Sequence, residues 1–107
     1  MRIELHPEAR AELRTASLWY EERQEQLGGE FLDAVSVTLE KISKAPELYP
    51  RWTGTERAAL VIRKALVERF PYSVAFEQHE SSLFVLTVAH QKRRPLYWLK
   101  RASEQPG

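Results

Sequence analysis

The chain has 107 residues, 43% hydrophobic, 29% charged and 10% aromatic, which suits one globular domain over residues 1–107. It has no cysteine, which excludes a disulfide framework, a thiolate nucleophile, an iron–sulfur cluster and a Cys-based zinc site. The formal net charge of +1 on its own argues against a dedicated nucleic-acid binder, yet it sums a half at −3 (residues 1–53) and a half at +4 (residues 54–107).

Residues 1–5 alternate, with Ile3 and Leu5 opposite Arg2 and Glu4, and so predict a short half-buried strand. Pro7 suits the first turn of a helix, and Glu8 suits its positive end. Ala9, Leu13, Ala16, Trp19 or Tyr20 and Arg23 then stand three or four apart, which extends an amphipathic helix to residue 26 with Trp19 and Tyr20 facing the core. Gly28 and Gly29 read as its C-cap and hinge. The period resumes at Phe31, Leu32, Val35, Leu39 and Ile42, giving a second helix over 29–44 that stops before Pro46. Two helices joined in this way form an αα-hairpin.

Residues 47–54 form a loop carrying Tyr49 and Trp52. Three strands follow: 58–70, 72–77 and the nearly continuous apolar run 83–89, the last expected to be covered on both faces. Pro71 cannot donate to a ladder, so it marks a bend or bulge between two of them. Short connections make the three an antiparallel meander. The tail around Tyr97 and Trp98 suits a helical turn or an edge segment, and Pro106 and Gly107 are expected to fray. The predicted fold is α+β in the order β-α-α-β-β-β, an antiparallel sheet with the αα-hairpin on one face.

Histidines 6, 79 and 90 show no metal-ligand spacing, and the four glycines form no phosphate-binding loop, so neither metal nor cofactor is expected. The interrupted, charged N-terminus is unlike a signal peptide, and no apolar run reaches the roughly 20 residues a membrane helix needs. A cytoplasmic protein is expected.

The basic residues concentrate on the meander: from Arg57 to Arg101 the net charge is +6, a face that attracts polyanions or simply keeps the domain in solution. His90 closes the last strand, where an imidazole acts either as general acid or base or as a structural group. Arg93 and Arg94 suit a bidentate phosphate clamp or a solvated loop. Tyr72, Tyr97 and Trp98 read as core aromatics or as a stacking platform. With neither thiol nor metal, one route to phosphodiester cleavage is attack of an RNA 2′-hydroxyl on its adjacent phosphate. His90, Glu68 and Tyr97 are the candidates for proton transfer, with Arg63, Arg69 and Arg93 as the cations.

The order of elements, Trp19-Tyr20-Glu21-Glu22, the segment from Arg63 to Tyr72 with Phe70-Pro71-Tyr72, and the block from His90 through Arg93-Arg94-Pro95 to Trp98 resemble the RelE/ParE toxin superfamily. The likeness spans about residues 3 to 98 and is strongest with the plasmid-stabilisation group. It implies the toxin half of a type II toxin–antitoxin module, neutralised by a cognate antitoxin that carries the DNA-binding part.

One branch of the superfamily cuts mRNA at the ribosome as a metal-independent endoribonuclease, and the other poisons DNA gyrase. The resemblance carries Arg63, Arg69, His90, Arg93 and Tyr97 over as the catalytic set, with ribosome-dependent cleavage as the first expectation and gyrase poisoning as the alternative. A degenerate, non-toxic member that only binds antitoxin is a further possibility. Only Lys64 stands where some ribonuclease members carry a lysine cluster. Lys64, Lys92, Arg94 and Tyr72 are expected to bind RNA or another target, and Trp52, Tyr72 and Trp98 to present an apolar groove to the antitoxin.

Overall fold

A computed structural model describes residues 1–103, so the expected fraying of Pro106 and Gly107 lies outside the described residues. The elements run β1 (Arg2–Leu5), α1 (Pro7–Arg23), α2 (Leu27–Lys44), β2 (Ile62–Leu66), β3 (Tyr72–Gln78) and β4 (Ser82–His90). This is the order expected from the periodicities, although β2 occupies only the middle of the apolar stretch that suggested it. Single 3-10 turns follow at Pro46–Leu48 and Leu99–Arg101. No helix of the described residues is long and apolar enough to cross a membrane.

The sheet order is β1-β4-β3-β2. β2, β3 and β4 form the antiparallel meander, but β1 runs parallel to β4, with Arg2 opposite Ser82 and Leu5 opposite Val85. The sheet is therefore mixed rather than wholly antiparallel. The αα-hairpin carries the chain from one sheet edge at β1 to the other at β2, and two reversals bring β4 back beside β1. That central position explains the continuous apolar run of β4, which is covered on both faces.

The helices cover one face. Ala9 and Ala16 of α1 and Phe31, Val35 and Ile42 of α2 pack with Val74, Phe76, Leu83, Val85 and Val88. The other face is covered by irregular chain. Trp98, 1% exposed, lies over Ile62, Ala75, Leu86 and Ala89, and the ring of Trp52 meets it edge-on at 4.9 Å. Trp98 is thus a core residue.

A bulge on β4 puts Ala75 opposite Thr87 and Phe76 opposite Val85, leaving Leu86 as the extra residue. It keeps Val85 and Val88 both on the helix side while Leu86 joins the opposite cluster. The bend expected at Pro71 is present. Arg69 adopts a left-handed φ of 73°, and the Tyr72 N–H donates to the Phe70 carbonyl at 2.7 Å.

The connection between the helices departs from expectation. α1 ends at Arg23, Gln24 is extended, and Gln26 holds a left-handed φ of 74°. Gly28 and Gly29 lie inside the first turn of α2 and form neither a C-cap nor a hinge. A Cβ at Gly28 would collide with the Ser17 carbonyl oxygen and stand 2.9 Å from Glu21 Oε1. The glycine is there because the two helices touch at that point. Glu21 accepts the Gln26 and Gly28 N–H groups, both at 2.9 Å, and so caps α2 from α1. Trp19 also departs from its expected core position. Its side of α1 is open and the residue is 49% exposed, whereas Tyr20 packs against Phe31 and Phe70 at ring distances of 5.2 and 5.0 Å.

Candidate functional site

β4 ends at His90, where the Arg93 N–H donates back to the His90 carbonyl at 3.0 Å and the chain turns toward α1. Residues 93–101 then cross the face of the sheet that the helices leave open, where Trp98 packs. Between this segment and α1 lies a groove of about 730 Å³, with Ala11, Thr15, Trp19 and Tyr20 on the helix wall and Tyr72, Val88, His90, Arg93 and Tyr97 facing them. A smaller pocket of about 210 Å³ shares His90, Arg93 and Tyr97 with the groove and is completed by Trp52, Lys64, Ser73 and Arg94. His90, Arg93 and Tyr97 thus form a ridge between two openings.

At the foot of the ridge a carboxylate gathers three polar side chains. Glu12 of α1 accepts hydrogen bonds from Thr87 Oγ1 (2.7 Å), from the Tyr97 hydroxyl, and from both terminal nitrogens of Arg101 (2.9 and 3.2 Å). Arg101 also donates to the Leu86 carbonyl at 3.0 Å, on the edge of β4 beyond the end of β1, and its Nε lies 3.5 Å from Glu8. Burial alone would raise the Glu12 carboxyl. The hydrogen bonds from Arg101, Tyr97 and Thr87, with the Arg101 charge, outweigh it and hold the group below its ordinary value. Tyr97 moves the other way: burial, then its bond to Glu12, raises the phenol.

This arrangement limits the chemistry of the ridge. A phenol that donates to a carboxylate and titrates above its usual range is a poor proton donor or acceptor at neutral pH. The face of Tyr97 remains available, and the Arg93 guanidinium lies 4.2 Å from its ring centroid. His90 Nδ1 accepts the Lys92 N–H at 3.0 Å, which leaves the proton of the neutral ring on Nε2. In that tautomer the outward nitrogen is a hydrogen-bond donor. The ring meets Tyr72 edge-on at 5.2 Å.

The expected catalytic set is therefore divided. His90, Arg93 and Tyr97 share the groove. Arg63 is engaged on the outer strand, donating to Gln78 Oε1 at 2.9 Å and the Tyr49 carbonyl at 2.8 Å, where it ties the loop after α2 to β2. Arg69 pairs with Glu30 of α2 at 3.0 Å, and the exposed Glu68 lies 3.7 Å from Lys41. Arg69 and Glu68 line a separate groove of about 430 Å³ between α2 and β2. Arg63 lies on the outer strand β2, and Glu68 and Arg69 lie on the β2–β3 turn against α2, away from His90 at the end of β4.

Of the residues expected to bind RNA or another target, Lys64 and Arg94 reach the small pocket, Tyr72 lines the groove, and Lys92 is exposed on the adjoining turn. Lys64 Nζ lies 4.8 Å from the Trp52 ring centroid. The expected apolar groove of Trp52, Tyr72 and Trp98 does not form. Trp52 and Trp98 pack together on one face of the sheet, while Tyr72 packs with the helices on the other. Among the described residues no three His, Asp or Glu side chains gather as a metal site requires.

Glu12, Thr87 and Arg101 were not singled out by the sequence. Glu12 falls on the charged side of a helix, Thr87 is one polar residue in an apolar strand, and Arg101 lies 89 residues from Glu12 along the chain. One signal was present. A threonine inside a run covered on both faces needs a partner.

Among solved structures the chain is similar to one from the "Chromosomal ParDE TA system from P. aeruginosa", with 18% identity and a TM-score of 0.57 over 84% of this chain and 95% of that one. No family model matches the chain, and no curated protein does. The likeness is one of fold. The two-helix, four-stranded arrangement is RelE/ParE-like, in agreement with the resemblance carried by the sequence.

Proposed function

We propose that the chain is the toxin component of a type II toxin–antitoxin module and that it acts on its target by binding, in the manner of the gyrase-poisoning branch. The ParDE-like fold supports the toxin reading. The observation that carries the mode of action is Glu12 holding the Tyr97 hydroxyl while Arg63 and Arg69 serve other contacts. The division of the expected proton-transfer and cation set supports binding over catalysis. The cognate antitoxin is the partner, the chain reaches DNA only through it, and the site of action is the cytoplasm, where gyrase and ribosomes are found.

A second reading, ribosome-dependent mRNA cleavage, draws on the fact that His90, Arg93 and Tyr97 do share one groove. The two readings part at His90. Binding predicts that induced His90→Ala arrests growth as the parent does, and that the purified chain traps cleaved DNA on gyrase. If His90→Ala restores plating efficiency and transcript ends map to ribosome-bound messages, the enzymatic reading replaces it. Expression without any arrest would leave antitoxin binding as the remaining activity.

A further inference from the structure

We propose that residues 95–103 are a strap that opens and shuts as one unit over the face of the sheet the helices leave free, and that the buried carboxylate of Glu77 is the clasp that shuts it by holding Ser103. The strap is a device of the fold itself and does not rest on the toxin reading.

Side chains, rather than a ladder, join the strap to the sheet. Leu96, Trp98, Leu99 and Ala102 lie against the cluster of Ile62, Ala75, Leu86 and Ala89. The main chain bonds inward instead: the N–H of Leu99 donates to the Leu96 carbonyl, that of Arg101 to Trp98 and that of Ala102 to Leu99, at 2.9, 2.9 and 3.0 Å. These bonds survive if the segment lifts away whole, so it leaves or stays as a body. Two polar ties lock it down. Arg101 reaches Glu12 and the Leu86 carbonyl. Ser103 reaches Glu77, its N–H donating to Oε2 at 2.6 Å and its hydroxyl to Oε1 at 2.8 Å.

Glu77 makes the second tie reversible. It lies on β3 between Ile62 of β2 and Phe84 of β4 and is fully buried. Among the described residues no Lys or Arg nitrogen comes within 4.0 Å of it, and its remaining partner is His79, whose Nε2 lies 3.2 Å from Oε1. A carboxylate taken from water without a matched Lys or Arg carries a desolvation cost that hydrogen bonds only partly offset. Opening the strap returns water to Glu77, whereas shutting it buries Trp98 and its apolar neighbours. The two effects oppose each other, which sets the cost of opening below that of unfolding the sheet.

The clasp acts at a distance from the His90 ridge. Leu96, Tyr97 and Trp98 wall the small pocket of Lys64 and His90, so that pocket is complete only when the strap is shut. Glu77 stands five residues along β3 from Tyr72, the partner of His90, a span of about 17 Å. A bond at one end of the sheet thus holds the pocket wall at the other.

Amide hydrogen exchange on the full-length chain in low denaturant tests this. The N–H groups of Leu99, Arg101, Ala102 and Ser103 should exchange through one shared opening, with protection about tenfold or more below that of Val74 and Phe76 in β3. Ser103→Pro removes both donors to Glu77. It should lower the protection of Leu99, Arg101 and Ala102 together by about tenfold and leave Val74 and Phe76 unchanged. Glu77→Ala should loosen the same set, and adding Ser103→Pro to it should loosen them no further, because both substitutions break one tie. If Glu77→Ala does not fold, Ser103→Pro alone still decides. A change confined to Ala102, exchange of the strap only together with β3, or additive effects of the two substitutions would each overturn the proposal.

Discussion

Glu12→Ala is expected to lower the stability of the fold by about 3–5 kcal/mol, the usual cost of stranding one partner of a buried ion pair. Arg101 loses its main partner and keeps only Glu8, 3.5 Å from its Nε, and the Leu86 carbonyl. Its side chain is 7% exposed and that of Glu12 is 17% exposed, so water does not replace the lost carboxylate. The Tyr97 and Thr87 hydroxyls lose their acceptor at the same time. Urea unfolding should show a lower midpoint with the slope nearly unchanged.

The double variant Glu12→Leu with Arg101→Met should recover most of the loss, because both charges are then removed from the buried site. If Glu12→Ala alone leaves the midpoint in place, the network contributes nothing to stability. The pH dependence has a definite sign. The Glu12 carboxyl is held below its ordinary 4.5 in the folded chain, so its contribution is fully present above that pH. The contribution is lost as the pH falls through the lower folded value, and Glu12→Gln should remove that part of the acid sensitivity.

Gly28→Ala is expected to cost about 2–3 kcal/mol, a drop of roughly 10 °C or more in melting temperature for a domain of this size. The added methyl group meets the Ser17 carbonyl, which is fixed in α1 and cannot rotate away. Accommodating it pushes the two helices apart where Glu21 caps α2. The neighbouring position is the control. A Cβ at Gly29 meets nothing within 4 Å, so Gly29→Ala should raise stability by roughly 0.5–1 kcal/mol through better helix propensity. Equal effects from the two substitutions would show that the close approach of the helices does not matter.

These two positions also show where the sequence could be read and where it could not. The repeat of Phe31, Val35 and Ile42 and the run from Leu83 to Ala89 announce elements because burial imposes a period on the residues that form them. Gly28 is visible in the sequence, but its role is not. Its role depends on how closely α1 approaches, and Gln26, not a glycine, takes the left-handed turn. At the site, His90, Arg93 and Tyr97 were readable because they sit within eight residues of one another at a strand end. Arg63 and Arg69 were grouped with them on residue type, and register sends each to a different contact. Glu12 and Arg101 are joined only by the fold, so no local pattern marks them.

The parallel pairing of β1 with β4, reinforced by the clasp of Arg101 on Glu12, has a consequence during synthesis. The first strand has no partner in the sheet until the last strand is made, and the first helix is locked only when residue 101 arrives. Such contacts carry high contact order and close late. A nascent chain that has not reached Arg101 lacks the latch that holds the segment after His90 against α1. The groove is therefore finished only once Arg101 has been made and has closed on Glu12.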